Sequence, residues 1–206
     1  RGVYLYHRKN IDTYIPSVQG SLRNNAYYAQ CLIDNKTILT GVGYILDLKT
    51  FNAKGSLGKR INDYLLARDI DGQLYFTRGK NLTRYDPVSK KEFIIPNAEE
   101  FTTHCITLIN DTIWIGTNLG AGQIIGDSIQ WVYKTKFPND HYGIKSICKD
   151  GQGNLWLGSY FQLYRFSPSA GQTDSFPLLQ NMDIRDIQLI RNKIFIGTYG
   201  NGYFIY

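Results

Sequence analysis

The chain has 206 residues, 43% of them hydrophobic and 14% aromatic, which is enough apolar material for a folded core and excludes a disordered protein. Glycine (20 residues) and tyrosine (16 residues) are abundant, a composition that is typical of strands joined by tight turns and excludes a largely helical protein. The net charge of +6 is not gathered into a basic cluster, so we expect no nucleic-acid partner, and the absence of a long apolar run predicts no direct membrane insertion.

The same order of elements recurs along the chain. An apolar strand and a polar turn lead into a second strand, which a third strand and a more variable fourth strand follow. Turns such as Asn110-Asp111 and Asp150-Gly151 contain residues that tolerate a positive φ, as short hairpins require. The second strands carry a shared four-residue pattern about 40 residues apart; in chain order the segments are 38–41, 74–77, 113–116, 155–158 and 194–197.

Four short antiparallel strands in a unit of this length predict one blade of a β-propeller. We therefore expect an all-β fold with about five four-stranded antiparallel blades, forming an arc of a larger ring of about seven blades. A compact five-bladed ring with a spare strand is the alternative. The whole chain, 1–206, is predicted to be a single propeller fragment, with partial blades at 1–20 and 184–206 and blades at about 24–58, 61–97, 101–137 and 144–180.

The second strands also predict how the blades pack. An aromatic residue between two aliphatic residues points to one face of the sheet, where we expect it to fill the gap between adjacent blades. The glycine two positions later suits a place where a Cβ would collide with a neighbour or where a bulge bends the strand. These structural repeat residues are Gly41, Trp114, Gly116, Trp156, Gly158, Phe195 and Gly197. An exposed aromatic that stacks on a sugar is the alternative for the ring positions.

One copy of the pattern is longer and more specific than the others. Residues 150–159, Asp-Gly-Gln-Gly-Asn-Leu-Trp-Leu-Gly-Ser, followed by 163–168, Leu-Tyr-Arg-Phe-Ser-Pro, closely resemble the two-component regulator propeller repeat. Shorter copies lie at 71–75 with 84–87, at 113–117 and at 194–202. The first blade departs most, because Leu39-Thr40 stands where the aromatic is expected.

The resemblance implies a function for the chain. Such repeats are similar to those in the periplasmic sensor regions of Bacteroidetes hybrid two-component histidine kinases, which detect glycan-derived oligosaccharides. It implies an extracytoplasmic ligand-binding segment of an inner-membrane receptor, with phosphotransfer located elsewhere in the parent protein. The expected partners are an oligosaccharide, neighbouring blades or a domain of the receptor, and a second copy in a signalling homodimer.

The residues themselves point to no catalytic chemistry. The aspartates of the first hairpins and of the proline turns have structural roles there, the three histidines are isolated, and no phosphate-binding glycine loop is present. Cys31, Cys105 and Cys148 form no C-x-x-C pair, so we expect no metal and no cofactor. The chain is therefore predicted not to be an enzyme in itself.

A ligand site is expected on the loops at one end of the blades, as in other propellers. Tyrosine supplies a flat apolar ring and asparagine supplies amide hydrogen bonds, a combination that suits a carbohydrate, although both are also common turn residues. The candidate ligand-binding residues are Asn25, Tyr27, Tyr28, His141, Tyr142, Tyr160, Tyr199 and Asn201, and Arg23 and Lys145 flank them where they could meet an acidic sugar.

Two other functions stay open on the sequence. One is a propeller enzyme that acts on polysaccharide, as a lyase or hydrolase, and it requires catalytic groups that converge on the channel face. The other is a protein–protein interaction scaffold, which would bind a protein and no soluble oligosaccharide.

Overall fold

The structure is a computed structural model that describes residues 29–41, 43–50, 52–57, 61, 65–136 and 143–206. Within these ranges the secondary structure consists of antiparallel strands and one short 3-10 turn, Pro177–Leu179. No helix in the described part of the chain has the length and apolar character to cross a membrane. The chain divides into two compact units between Phe93 and Ile94, which are described in turn, and its assignment to one continuous propeller remains a prediction.

The first unit contains two four-stranded antiparallel sheets in sequential strand order. Its core joins the two sheets through buried apolar side chains, among them Leu39 of one sheet and Phe76 of the other. The strands of the first sheet are β1 (Gln30–Leu32), β2 (Thr37–Thr40), β3 (Tyr44–Asp47) and β4 (Ala53–Ser56); those of the second are β5 (Leu66–Arg68), β6 (Leu74–Arg78), β7 (Asn81–Asp86) and β8 (Lys91–Ile94).

The second unit contains two four-stranded sheets and one three-stranded sheet, again antiparallel and sequential. The strands of its first sheet are β9 (Thr103–Ile109), β10 (Thr112–Thr117), β11 (Gly120–Ile125) and β12 (Ser128–Lys134). Those of its second sheet are β13 (Ser146–Lys149), β14 (Leu155–Gly158), β15 (Leu163–Ser167) and β16 (Gln172–Ser175), and those of its third are β17 (Ile184–Ile190), β18 (Lys193–Thr198) and β19 (Tyr203–Ile205).

The hairpin turns have the chemistry that the sequence predicts. Asn110 and Asp111 adopt φ values of 47° and 61° between β9 and β10, and Arg191 and Asn192 adopt 48° and 66° between β17 and β18. Two successive positive φ values define the two-residue turn whose twist matches that of the paired strands. Each turn therefore fixes the register of the first two strands of its sheet.

Successive sheets of the second unit pack face to face through the second-strand tryptophans. Trp114 is 2% exposed and lies in a cluster with Ile144 and Leu155 of the next sheet. Trp156 is 1% exposed and lies in a cluster with Ile184 and Ile194 of the sheet after that. Sequential four-stranded sheets that pack in this way are the blades of a propeller, and the predicted fold class is confirmed.

The glycines after these tryptophans lie where neighbouring sheets approach most closely. A Cβ on Gly116 would lie 2.2 Å from the main-chain oxygen of Ile144, and one on Gly158 would lie 2.5 Å from Cγ2 of Ile184. Gly197 is less crowded, since a Cβ there would meet nothing nearer than Asp186 at 3.7 Å. Gly41 is buried but lies in the turn after β2, where its N–H donates to the main-chain oxygen of Ala29 at 2.7 Å.

Phe195, the ring at the tryptophan position of the last sheet, is half-buried on β18 and pairs with Gln188 and Ile205. Trp156, by contrast, is enclosed by further rings: it stacks on Phe176 at 5.3 Å between ring centroids and contacts Tyr206 at 4.9 Å. Trp156 is thus part of a larger ring cluster between the last two sheets.

Candidate ligand-binding site

The structure places three of the predicted ligand-binding residues, and all three lie in turns between second and third strands. Tyr160 follows β14, and Tyr199 and Asn201 follow β18. The other candidates, Asn25, Tyr27, Tyr28, His141 and Tyr142, and the flanking Arg23, lie outside the described residues.

A hydroxyl group at the end of each second strand shapes these turns. The Ser159 hydroxyl donates to the main-chain oxygen of Gln162 at 3.0 Å and accepts the N–H of Phe161 at 3.3 Å. The Thr198 hydroxyl donates to the main-chain oxygen of Gly202 at 2.7 Å. Because both turns are closed in this way, Tyr160 and Tyr199 are held on the surface, 36% and 63% exposed.

Two cations connect the tyrosines. The Lys145 ammonium lies 2.7 Å from the centroid of the Tyr160 ring. The Arg185 guanidinium lies 5.6 Å from the Tyr160 centroid and 5.2 Å from the Tyr199 centroid. All three distances are within the range of cation–π attraction, and Arg185 contacts both rings, so the fold gathers two separate turns into one surface.

Asp183 fixes the two cations. Its carboxylate accepts a hydrogen bond from the Lys145 ammonium at 3.2 Å and from Arg185 Nε at 2.8 Å, and its main-chain oxygen accepts the N–H of Tyr199 at 2.9 Å. The side chain of Lys145 is only 8% exposed, which makes the carboxylate necessary to compensate its charge. We call the group Lys145, Tyr160, Asp183, Arg185 and Tyr199 the tyrosine platform.

A groove of about 300 Å³ adjoins the platform. The first strands of the three sheets of the second unit line it, with Thr107 from β9, Lys145 and Ser146 at β13, and Arg185, Asp186 and Gln188 from β17 among its residues. The Gln188 amide donates to Asp186 at 2.9 Å. Lys145 and Arg185 belong to both the groove and the platform, so the two form one continuous polar surface.

The turn aspartates of the repeats have structural roles. Asp150 accepts hydrogen bonds from the Trp156 indole at 2.9 Å and from the Asn154 amide at 3.0 Å. Burial opposes ionisation of Asp150, but these hydrogen bonds outweigh it and lower the pKa of the carboxyl. Asp69 likewise accepts a hydrogen bond from the Tyr75 hydroxyl at 3.1 Å, and in both repeats the aspartate lies six residues before the aromatic residue. The repeat therefore contains an aspartate–aromatic hydrogen bond that was not predicted from the sequence.

The cysteines and acidic residues form no reactive centre in the described ranges. No group of three or more His, Cys, Asp or Glu side chains there could hold a metal ion. All three cysteines are free, and burial raises the pKa of Cys105 to about 12 and also raises the pKa values of Cys31 and Cys148. These thiols are therefore protonated, and not nucleophilic, at neutral pH.

Asp183 and Arg185 were missed in the sequence. A sequence signal for Arg185 exists, because Ile144-Lys145 and Ile184-Arg185 occupy the same place in successive repeats. At this place the isoleucine N–H donates to the end of the preceding sheet, to Thr117 O in one repeat and to Ser159 O in the next. Two cations at the same repeat position, each followed by a tyrosine turn, indicate a shared surface. Asp183 has no counterpart in the preceding repeat and gives no such signal.

Comparison with known proteins confirms the repeat. The family model described as "Two component regulator propeller" matches residues 137–161, which contain the whole of the repeat-like segment 150–159. A search of curated protein sequences finds no match.

Solved structures share the fold at low sequence identity. The extracellular domain of BT4673 of B. thetaiotaomicron, assigned to a hybrid two-component system in one of its structures, matches with a TM-score of 0.73 and 19% identity over 92% of this chain and 27% of that one. The extracellular domain of BT3049 from the same organism matches with a TM-score of 0.67 and 20% identity, over 90% and 29% of the two chains. The chain thus spans little more than a quarter of these domains.

Virginiamycin B lyase from Staphylococcus aureus shares the fold as well. It matches with a TM-score of 0.56 and 18% identity, over 86% of this chain and 68% of that one. Since a lyase and extracellular domains of two-component systems share the architecture, the fold alone assigns no activity.

Proposed function

From the two-component regulator propeller repeat that the chain carries, we propose that it is a ligand-binding segment of an extracytoplasmic sensor, non-catalytic in itself. The matching repeat and the likeness to extracellular domains of two-component systems support this proposal. The chain corresponds to about a quarter of such a domain. The proposal therefore also includes a periplasmic location, an inner-membrane parent with a histidine kinase, contact with neighbouring blades, and signalling as a homodimer.

The ligand class in this proposal is a glycan-derived oligosaccharide. The observation that carries it is the tyrosine platform: Tyr199 offers an exposed ring face, and the charged groups of Lys145, Asp183 and Arg185 surround it with hydrogen-bond donors and acceptors. A sugar has apolar C–H faces and a hydroxyl rim, which such a surface complements. One aromatic contact of this kind contributes about 1 kcal/mol, so an affinity between about micromolar and millimolar is expected.

The tyrosine platform contains no arrangement that favours a catalytic alternative. It has one carboxylate, Asp183, which accepts hydrogen bonds from Lys145 and Arg185, whereas glycoside hydrolysis uses a pair of carboxyl groups. Release of new reducing ends or unsaturated products from any oligosaccharide that the protein binds would nevertheless identify it as an enzyme.

Isothermal titration calorimetry against a panel of oligosaccharides tests the proposal. Tyr199→Ala is expected to weaken binding about fivefold, the equivalent of one aromatic contact. Tyr203→Ala is the matched control, because Tyr203 is 73% exposed on β19 and makes no ring contact with the platform. If neither Tyr199→Ala nor Tyr203→Ala changes the dissociation constant, the platform is not the binding site.

A further inference from the structure

The groove beside the platform has main-chain polar groups along its floor. The first strand of each sheet pairs on one side only, so its other edge is open. In an antiparallel pair, alternate residues direct their N–H and C=O groups away from the partner strand. The residues next to each hairpin turn form a hydrogen-bonded pair, and the pairs alternate from there along the strands. One groove-lining isoleucine of each first strand falls at a position whose N–H and C=O point away from the second strand: Ile106 of β9, Ile147 of β13 and Ile187 of β17.

These groups provide donors and acceptors in equal number. A main-chain unit offers one N–H donor and one C=O acceptor, and neither can change its charge. A sugar hydroxyl both donates and accepts, so several hydroxyls on one ring can bond to such an edge without leaving a group unsatisfied. A carboxylate only accepts hydrogen bonds, so it would leave the main-chain carbonyl oxygens of the edge without a donor and would repel them.

The side chains of the groove and the platform, taken together, carry no net charge to attract an anion. Lys145 and Arg185 are the positive groups, and Asp183 and Asp186 are the negative ones. Lys145 is bonded to Asp183, is 8% exposed and lies over the Tyr160 ring, and Arg185 shares the same carboxylate at 2.6 Å. The cation that the sequence suggested for an acidic sugar is thus already neutralised within the protein.

We propose that this groove binds an uncharged, hydroxyl-rich sugar unit, so that the ligand of the platform is a neutral oligosaccharide rather than an acidic one. The inference rests on the proposed function and specifies the substrate class of the same surface. The volume of about 300 Å³ is at the lower end of the range for small-molecule pockets and suits one ring, with the next units of the chain extending onto Tyr199.

Calorimetry with charge-matched probes tests this inference. The probes are tetragalacturonic acid, its fully methyl-esterified form, and neutral tetrasaccharides of glucose, galactose, xylose and mannose. We expect a neutral probe to bind at least about tenfold more tightly than the acid, with a dissociation constant that changes less than about twofold between roughly 50 and 500 mM NaCl.

Asp183→Asn provides the complementary test, since it frees the charges of Lys145 and Arg185. This variant is expected to bind tetragalacturonic acid about tenfold more tightly than the unmodified protein, and the gain should disappear in high salt. Asp174→Asn is the matched control, because Asp174 pairs with Arg165 on β15 and β16, outside the groove. Should Asp183→Asn fail to fold, Asp186→Asn removes a negative charge from the same groove.

The outcomes separate the two proposals. Preferential, salt-sensitive binding of the acid by the unmodified protein would overturn the neutral-ligand inference and leave the sensor function standing. Failure of every neutral and acidic probe to bind would overturn both.

Discussion

Replacing Gly158 by alanine should force the last two sheets apart. The added Cβ would lie 2.3 Å from the Ser146 hydroxyl and 2.5 and 2.9 Å from two side-chain carbons of Ile184. Ile184, the neighbour on the last sheet, is fully buried and its N–H is bonded to Ser159 O at 2.8 Å, so it cannot move away freely. Overpacking of this kind costs about 1 to 3 kcal/mol. In a domain of this size that corresponds to a fall in melting temperature of about 2 to 4 °C for each kcal/mol.

The equivalent glycine of the next sheet provides the control. A Cβ on Gly197 would meet Asp186 at 3.7 and 3.8 Å, which is ordinary contact, so Gly197→Ala should change stability by less than about 0.5 kcal/mol. Thermal melts of the two variants, followed by circular dichroism, measure the difference. If Gly158→Ala melts at the same temperature as Gly197→Ala, then close approach of adjacent sheets does not explain the repeated glycine.

Two further predictions concern the titratable groups. Because the pKa of Asp150 is lower in the folded protein than the value of about 3.9 for an unfolded aspartate, its stabilising effect should be complete above about pH 4 and be lost as the pH falls through the folded pKa. Urea unfolding should therefore show Asp150→Asn to be about 1 kcal/mol less stable than the unmodified protein at pH 7, with a difference that shrinks as the pH falls below about 4, and a difference that does not shrink in acid would contradict this role. Since the pKa of Cys105 is raised to about 12, its thiol should not react with a disulfide reagent at pH 8 until the protein is unfolded, and rapid labelling of Cys105 in the native protein would show that it is not buried in this way.

The fold could be predicted from the sequence because it repeats. Each blade has its own hairpin chemistry: Asn110, Asp111 and Asn192 show the positive φ values that their residue types favour, and Arg191 adopts one beside Asn192. The alternation around Trp114 and Trp156 placed both rings on the sheet face that packs against the next blade. Such local signals are enough for strands and turns.

The site was harder to predict, since it depends on residues brought together by the fold. Lys145 and Asp183 are distant in the sequence, and only the packing of β13 beside β17 brings them to 3.2 Å. A charged residue next to a strand ordinarily indicates an exposed turn, so Asp183 did not stand out. The tyrosines could be selected by type, whereas the carboxylate that holds their cations could be found only in three dimensions.

A crystal structure of the protein with its tightest-binding neutral tetrasaccharide tests the central claim most directly. We expect one sugar ring to stack on Tyr199 and a neighbouring ring to bond to the main chain of Ile147 and Ile187 in the groove. A sugar bound at a site that shares none of the residues of the platform or the groove would contradict the account.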